Sequence, residues 1–114
     1  MGKPIHKGDA MSQVYARMNF QVSENLDPQI ISEWQALLHD TALWGGADDV
    51  EVFVSEKDNV IGVSIPVESD AMLILEAGHV LGFVAAAVEK SNLRSLQNWM
   101  SFNDVNGNVI ESPV

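Results

Sequence analysis

The chain contains no cysteine, and only six of its 114 residues are lysine or arginine. The lack of cysteine excludes disulfides, thiolate nucleophiles and cysteine-ligated zinc or iron–sulfur sites. The first ten residues also lack the apolar run that a secretory signal needs. Together these absences predict a cytoplasmic protein.

The shortage of positive charge bears on the kind of partner. The formal net charge is −10, and between Met18 and Glu89 the only strong base is Lys57. Nucleic acids and anionic membranes are bound through Lys and Arg, so we exclude both as partners. A basic protein partner is favoured electrostatically, although an acidic surface also serves solubility alone.

Length and composition indicate one domain. Apolar residues make up 46% of the chain, which is enough for a core at this length. We interpret residues 1–10 as a polar N-terminal arm and residues 11–114 as a single domain. No repeat or internal linker divides this domain.

Patterning predicts a strand, a helix and a hairpin in the first half. Apolar residues alternate with polar ones from Val14 to Val22, which is typical of a strand with one buried face. Asp27-Pro28 opens a helix that Gly45-Gly46 ends. Two β-branched runs, 50–55 and 60–65, are separated by a four-residue loop and form a hairpin.

A second helix and a final hairpin follow. The Ala- and Leu-rich run from Ala71 to Val88 favours a helix, with a possible break at Gly78-His79. Residues 97–102 form a strand, and Asn106-Gly107 turns the chain back. The resulting order predicts an α+β fold: a ferredoxin-like βαββαβ(β) two-layer sandwich, with an antiparallel sheet and both helices on one face.

No motif carries catalysis or a cofactor. Glu76 and His79 have the spacing of two metal ligands on one helix face, but further ligands are missing, so we predict no metal site. Gly78 and Gly82 form a Gly-x-x-x-Gly pattern, which lets helices approach closely. Because Glu76 and His79 lie near the middle of the apolar run that contains it, a buried or interface helix fits better than a membrane span. We therefore consider an enzyme the less favoured class.

Two sets of residues are candidates for binding. An apolar pocket between helices and sheet would have a histidine or an arginine as its polar group. The arginine could instead form an ion pair with Glu51 or with another acidic residue on the same sheet face. An oligomer interface would use the second helix, which stays apolar on too many sides for a monomer, and the far face of the sheet. The pocket candidates are Arg17, Trp34, His39, Trp44, Phe53 and Phe102, and the interface candidates are Tyr15, Met72, His79 and Phe83.

The function that fits these observations is a non-enzymatic one. We expect an acidic, homo-oligomeric domain that binds another macromolecule, as a regulator, an inhibitor or an immunity-type factor. The alternative is a small-molecule binder or cofactor-free enzyme of the dimeric α+β-barrel kind, with the apolar pocket as its site.

Overall fold

The computed structural model describes residues 14–23, 25–47, 49–67 and 71–110. The predicted arm of residues 1–10 lies outside them. In chain order the elements are β1 (Val14–Gln21), α1 (Pro28–Trp44), β2 (Glu51–Ser55), β3 (Val60–Pro66), α2 (Ala71–Lys90) and β4 (Gln97–Asp104).

The four strands form one antiparallel sheet in the order β2-β3-β1-β4. Met18 in the centre of β1 lies opposite Val63 on β3 and Met100 on β4. The predicted α+β class, with an antiparallel sheet and two helices, is confirmed. The hairpin between β2 and β3 is also present, and its loop ends at Asn59 in the left-handed conformation, with φ of 57°.

The core is one cluster of side chains from the sheet and from both helices. Ala16 and Phe20 from the alternating β1 pattern are fully buried, and Trp34 of α1 is 1% exposed. The rings of Phe20 and Trp34 pack with their centroids 5.4 Å apart at an angle of 45°. This tilted arrangement is the one that aromatic pairs prefer.

The first helix begins and ends where its caps predict. The carboxylate of Asp27 accepts a hydrogen bond from the Ile30 amide at 2.9 Å, and Pro28 occupies the first turn, where no amide partner is needed. At the other end, Gly46 has φ of 105°, a conformation that favours glycine. The predicted boundaries at Asp27 and at Gly45-Gly46 are confirmed.

The second helix is longer than predicted and continuous. It runs without a break through Gly78 and His79 to Lys90. Ala77, Leu81 and Val84 are buried in the core, as their helical spacing requires. Neither Gly78 nor Gly82 has a positive φ, so the backbone stays helical through both residues.

The end of the chain turns at the predicted Asn106-Gly107. Gly107 has φ of 90°, and its amide donates to the Asp104 carbonyl at 3.0 Å. The returning segment is shorter than a strand. It makes a single bridge between Val109 and Asn103, and the Ile110 amide donates to the Phe102 carbonyl at 2.7 Å.

Candidate functional site

The outer face of α2 exposes large apolar side chains. Met72 is 63% exposed, Leu75 54% and Phe83 47%. Their spacing of three and eight residues places them along one side of the helix. Proteins rarely leave such a row in contact with water unless something binds to it.

The end of α1 adjoins this row. A Cβ atom at Gly45 would lie 3.2 Å from Cδ2 of Phe83, so the two helices are in close contact here. Trp44, the residue before Gly45, is 85% exposed. We call Trp44, Met72, Leu75 and Phe83 the helix patch.

Few charged residues lie beside the helix patch. Glu76 and His79 lie on the same side of α2, and both are exposed. Among the described residues, no group of three or more histidine and carboxylate side chains is close enough to hold a metal ion. The chemistry of this face is therefore that of apolar contact, with titratable groups at its centre.

The sheet face away from the core carries a second arrangement, around Arg17. The guanidinium lies over the ring of Phe53, 4.4 Å from its centroid. Phe53 lies opposite Gly62, and a Cβ atom there would be only 2.7 Å from Phe53 Cζ. Glycine at this position therefore lets the ring lie flat enough to support Arg17.

Arg17 keeps unused hydrogen-bonding capacity. Its Nε atom is buried and has no hydrogen-bond partner among the described residues. Glu51, the predicted alternative partner, lies on the same face but two strands away, across Ser64. In the described part of the chain the ion-pair contact is His39 with Asp40, at 3.7 Å.

Polar side chains continue from Arg17 toward β4. The Asn19 amide donates to the Trp99 carbonyl and to the Ser101 hydroxyl, each at 3.0 Å. The Ser101 hydroxyl donates to the Asn103 side chain at 2.7 Å, which in turn donates to the Gly107 carbonyl. These bonds satisfy Asn19 and Asn103, which are 6% and 4% exposed.

The six predicted pocket residues are not gathered at one place. Arg17 and Phe53 meet on the sheet face away from the core, whereas Trp34 is in the core. His39 is half exposed on α1, beside a shallow cleft that Val52 also lines. Phe102 is half buried against the core, and Trp44 is on the surface.

Sequence reasoning missed a third surface, on β4. Leu96 is 67% exposed, Trp99 41% and Met100 44%. The signal was present in the sequence, because residues 95–103 combine apolar side chains with a complete lack of charge. Its importance depends on β4 being an edge strand, which only the strand order reveals.

By length and composition, Met72–Lys90 could cross a membrane, with a mean hydropathy of 1.6 and 28% of the stretch buried. A core helix of a soluble protein passes the same test, and α2 contributes Leu81, Val84 and Val88 to the core.

Comparisons with protein-family models, curated proteins and solved structures find no significant match to this chain.

Proposed function

We propose that this chain is an acidic protein-interaction domain that acts by binding a macromolecular partner, as a regulator, inhibitor or immunity-type factor. The observation that carries the proposal is the helix patch. Four large apolar side chains, each between 47% and 85% exposed, lie on α2 and at the adjoining end of α1. A partner that covers them gains the free energy of removing that apolar surface from water.

For the fold we propose the ferredoxin-like sandwich, a split βαβ arrangement. The order β2-β3-β1-β4 with antiparallel neighbours supports it, since two interleaved βαβ units give this order. One core cluster with side chains from the sheet and from both helices supports helices on a single face. In this arrangement neither helix covers the other face of the sheet, which carries Tyr15 and Arg17.

The charge of the domain supports a basic partner. Thirteen acidic residues accompany a single strong base between Met18 and Glu89. Asp40 near the end of α1 and Glu76 on α2 are exposed close to the helix patch in sequence. An apolar surface within an acidic field attracts a partner with an apolar centre and a basic rim, and speeds its association. We further propose a cytoplasmic homo-oligomer.

The test is a binding measurement on two matched variants. A partner isolated from the native host is purified, and its affinity is measured for the wild-type domain, for Phe83→Glu and for Gln35→Glu. Both variants add one negative charge to an exposed helix position, but Gln35 lies outside the helix patch. We expect at least a tenfold loss of affinity with Phe83→Glu alone, and a wild-type affinity that falls as salt is added. Equal losses in both variants, or none, would contradict the proposal.

A small-molecule binder is the second candidate, and Arg17 is the observation that favours it. A guanidinium stacked on an aromatic ring, with an unpaired Nε, is suited to a carboxylate ligand. The site would then be on the sheet face away from the core. Small mono- and dicarboxylates should raise the melting temperature of the wild type and leave that of Arg17→Met unchanged.

A further inference from the structure

The outer edge of β4 is paired along only part of its length. The Val67 amide donates to the Val14 carbonyl, so even-numbered residues of β1 direct their backbone groups toward β3. Odd-numbered residues such as Arg17 and Asn19 therefore face β4, where their partners are Ser101 and Trp99. It follows that even-numbered residues of β4 direct their amides and carbonyls away from the sheet.

The chain itself covers two of these outward residues. The Phe102 carbonyl accepts from the Ile110 amide, and the Asp104 amide donates to the Asn108 carbonyl at 2.9 Å. Asn98 and Met100 have no corresponding backbone bonds among the described residues. Within the described part of the chain, the uncovered edge is therefore the segment 97–101.

This segment lacks the charged residues and prolines that commonly protect an edge strand. It contains no charge, no proline and no glycine, and it exposes Trp99 and Met100. The opposite edge, β2, has the same length as the 97–101 segment, but it starts at Glu51 and is followed by the charged Glu56-Lys57-Asp58 loop. Charged edge strands resist pairing with other chains, whereas uncharged ones favour it.

A groove accompanies the free edge. It has a volume of about 610 Å³ and lies between the end of α2 and the start of β4. Ala85, Val88 and Leu93 contribute apolar surface to it, Glu89 and Arg94 contribute one charge of each sign, and Asn98 lines it from the strand. A strand added to β4 would place alternate side chains over this groove.

We propose that the 97–101 segment pairs antiparallel with the same segment of a second copy, so that two four-stranded sheets join into one of eight. Charge selects a second copy as the occupant. Two chains with a net charge of −10 repel each other, and they meet at lowest cost where neither carries charge. A basic partner would gain nothing from this neutral strand. The pairing supplies the missing backbone bonds of Asn98 and Met100 and covers Trp99.

The inference deepens the proposed homo-oligomer by naming its surface, and rests on it. It also separates the two surfaces. Self-association uses the β4 edge, and the macromolecular partner uses the helix patch on α2. A dimer of this kind presents two helix patches and binds a repetitive partner with higher avidity.

The first experiment compares two charge variants by size-exclusion chromatography with light scattering. Met100 and Phe83 are 44% and 47% exposed, so Met100→Glu and Phe83→Glu impose similar burdens on folding. We expect wild type and Phe83→Glu to have twice the chain mass. Met100→Glu should fall to the monomer mass of 12.5 kDa while keeping its circular dichroism spectrum.

The second experiment needs no variant. Amide exchange is followed by NMR at high and low concentrations of wild-type protein. The amides of Trp99 and Ser101 face β1 and should be protected at both concentrations. Those of Asn98 and Met100 should be protected only in the dimer, because only strand pairing between copies covers them.

Three other results would contradict the β4 interface. A dimer that Phe83→Glu dissociates and Met100→Glu preserves would overturn the β4 interface and leave the homo-oligomer standing. A wild-type monomer would overturn both, while the affinity test of the helix patch would still judge partner binding. A monomer with protected Asn98 and Met100 amides would show that the chain covers its own edge.

Discussion

At the scale of single residues, Gly62 determines the geometry of the sheet face away from the core. It lies opposite Phe53 on β2 and opposite Asn19 on β1. Any side chain at this position would meet both the Phe53 ring and the Met18 carbonyl oxygen. The position of Arg17 over Phe53 therefore depends on the absence of one methyl group on β3, the strand between the two residues.

We predict that Gly62→Ala destabilises the domain by about 1–3 kcal/mol, because the ring and the backbone must both move. Gly82→Ala is the matched control. Gly82 lies in α2 with open space around its Cβ position, so alanine should stabilise the helix by up to about 1 kcal/mol. Urea denaturation measures both changes. Equal effects of the two substitutions would show that crowding at Gly62 relaxes without cost.

The cap of α1 provides a second prediction at this scale. Replacement of Asp27 by alanine removes the acceptor of the Ile30 amide. The expected loss is about 1 kcal/mol, and Asp27→Asn should retain most of the stability because the amide oxygen also accepts. An unfolding midpoint unchanged in Asp27→Ala would mean that solvent satisfies this helix end equally well.

At the scale of elements, the turn after β4 is held by one carboxylate. Hydrogen bonds from the Asn108 backbone amide first, and then from the backbone of Asn106, the Asn108 side chain and the Gly107 backbone, hold the pKa of Asp104 below its ordinary value of 3.8. A lowered pKa means that the folded state favours the charged form. This stabilisation is present above the ordinary pKa and is lost as the pH falls through the folded-state value.

The prediction concerns the pH dependence of Asp104→Asn. At neutral pH the variant should be less stable than the wild type, because the anionic acceptor is gone. The difference should shrink as the pH falls below 3.8, since the wild-type carboxyl group then becomes protonated. Chemical denaturation at neutral and strongly acidic pH measures the difference. A constant gap across this range would assign the cost to packing of the turn rather than to its charge.

The elements differ in how far the sequence predicts them. Strict alternation marks β1, Asp27-Pro28 marks the start of α1, and Asn106-Gly107 marks the last turn, because each depends on local backbone preferences. The stack of Arg17 on Phe53 and the burial of Asn19 depend on register between strands far apart in sequence. The free edge of β4 depends on strand order as well. Local sequence patterns contain neither the strand register nor the strand order.

At the scale of the whole molecule, excess negative charge opposes compactness. Ten more negative than positive charges lie on a chain with a radius of gyration of 14.6 Å. The Debye length, which is the distance over which exposed charges still interact, is about 8 Å at physiological ionic strength and about 30 Å at low salt. Repulsion across the domain is therefore strong in dilute buffer and weak in physiological salt.

We predict that added sodium chloride raises the thermal midpoint of the wild type. Asp49→Asn, which removes one exposed negative charge, should show a smaller rise. Differential scanning calorimetry at constant protein concentration provides the measurement. A midpoint that falls with salt would show that favourable ion pairs outweigh the net repulsion.

The three tryptophans lie in three different surroundings, so each can serve as a separate intrinsic fluorescence probe. Trp34 is enclosed in the core, Trp99 lies on the free strand edge and Trp44 is almost fully in water. Double Trp→Phe variants that keep one indole each would separate the signals. Emission from Trp34 would report unfolding, that of Trp99 self-association, and iodide quenching of Trp44 the arrival of a partner. Three equilibria of one small domain thus become readable without any attached dye.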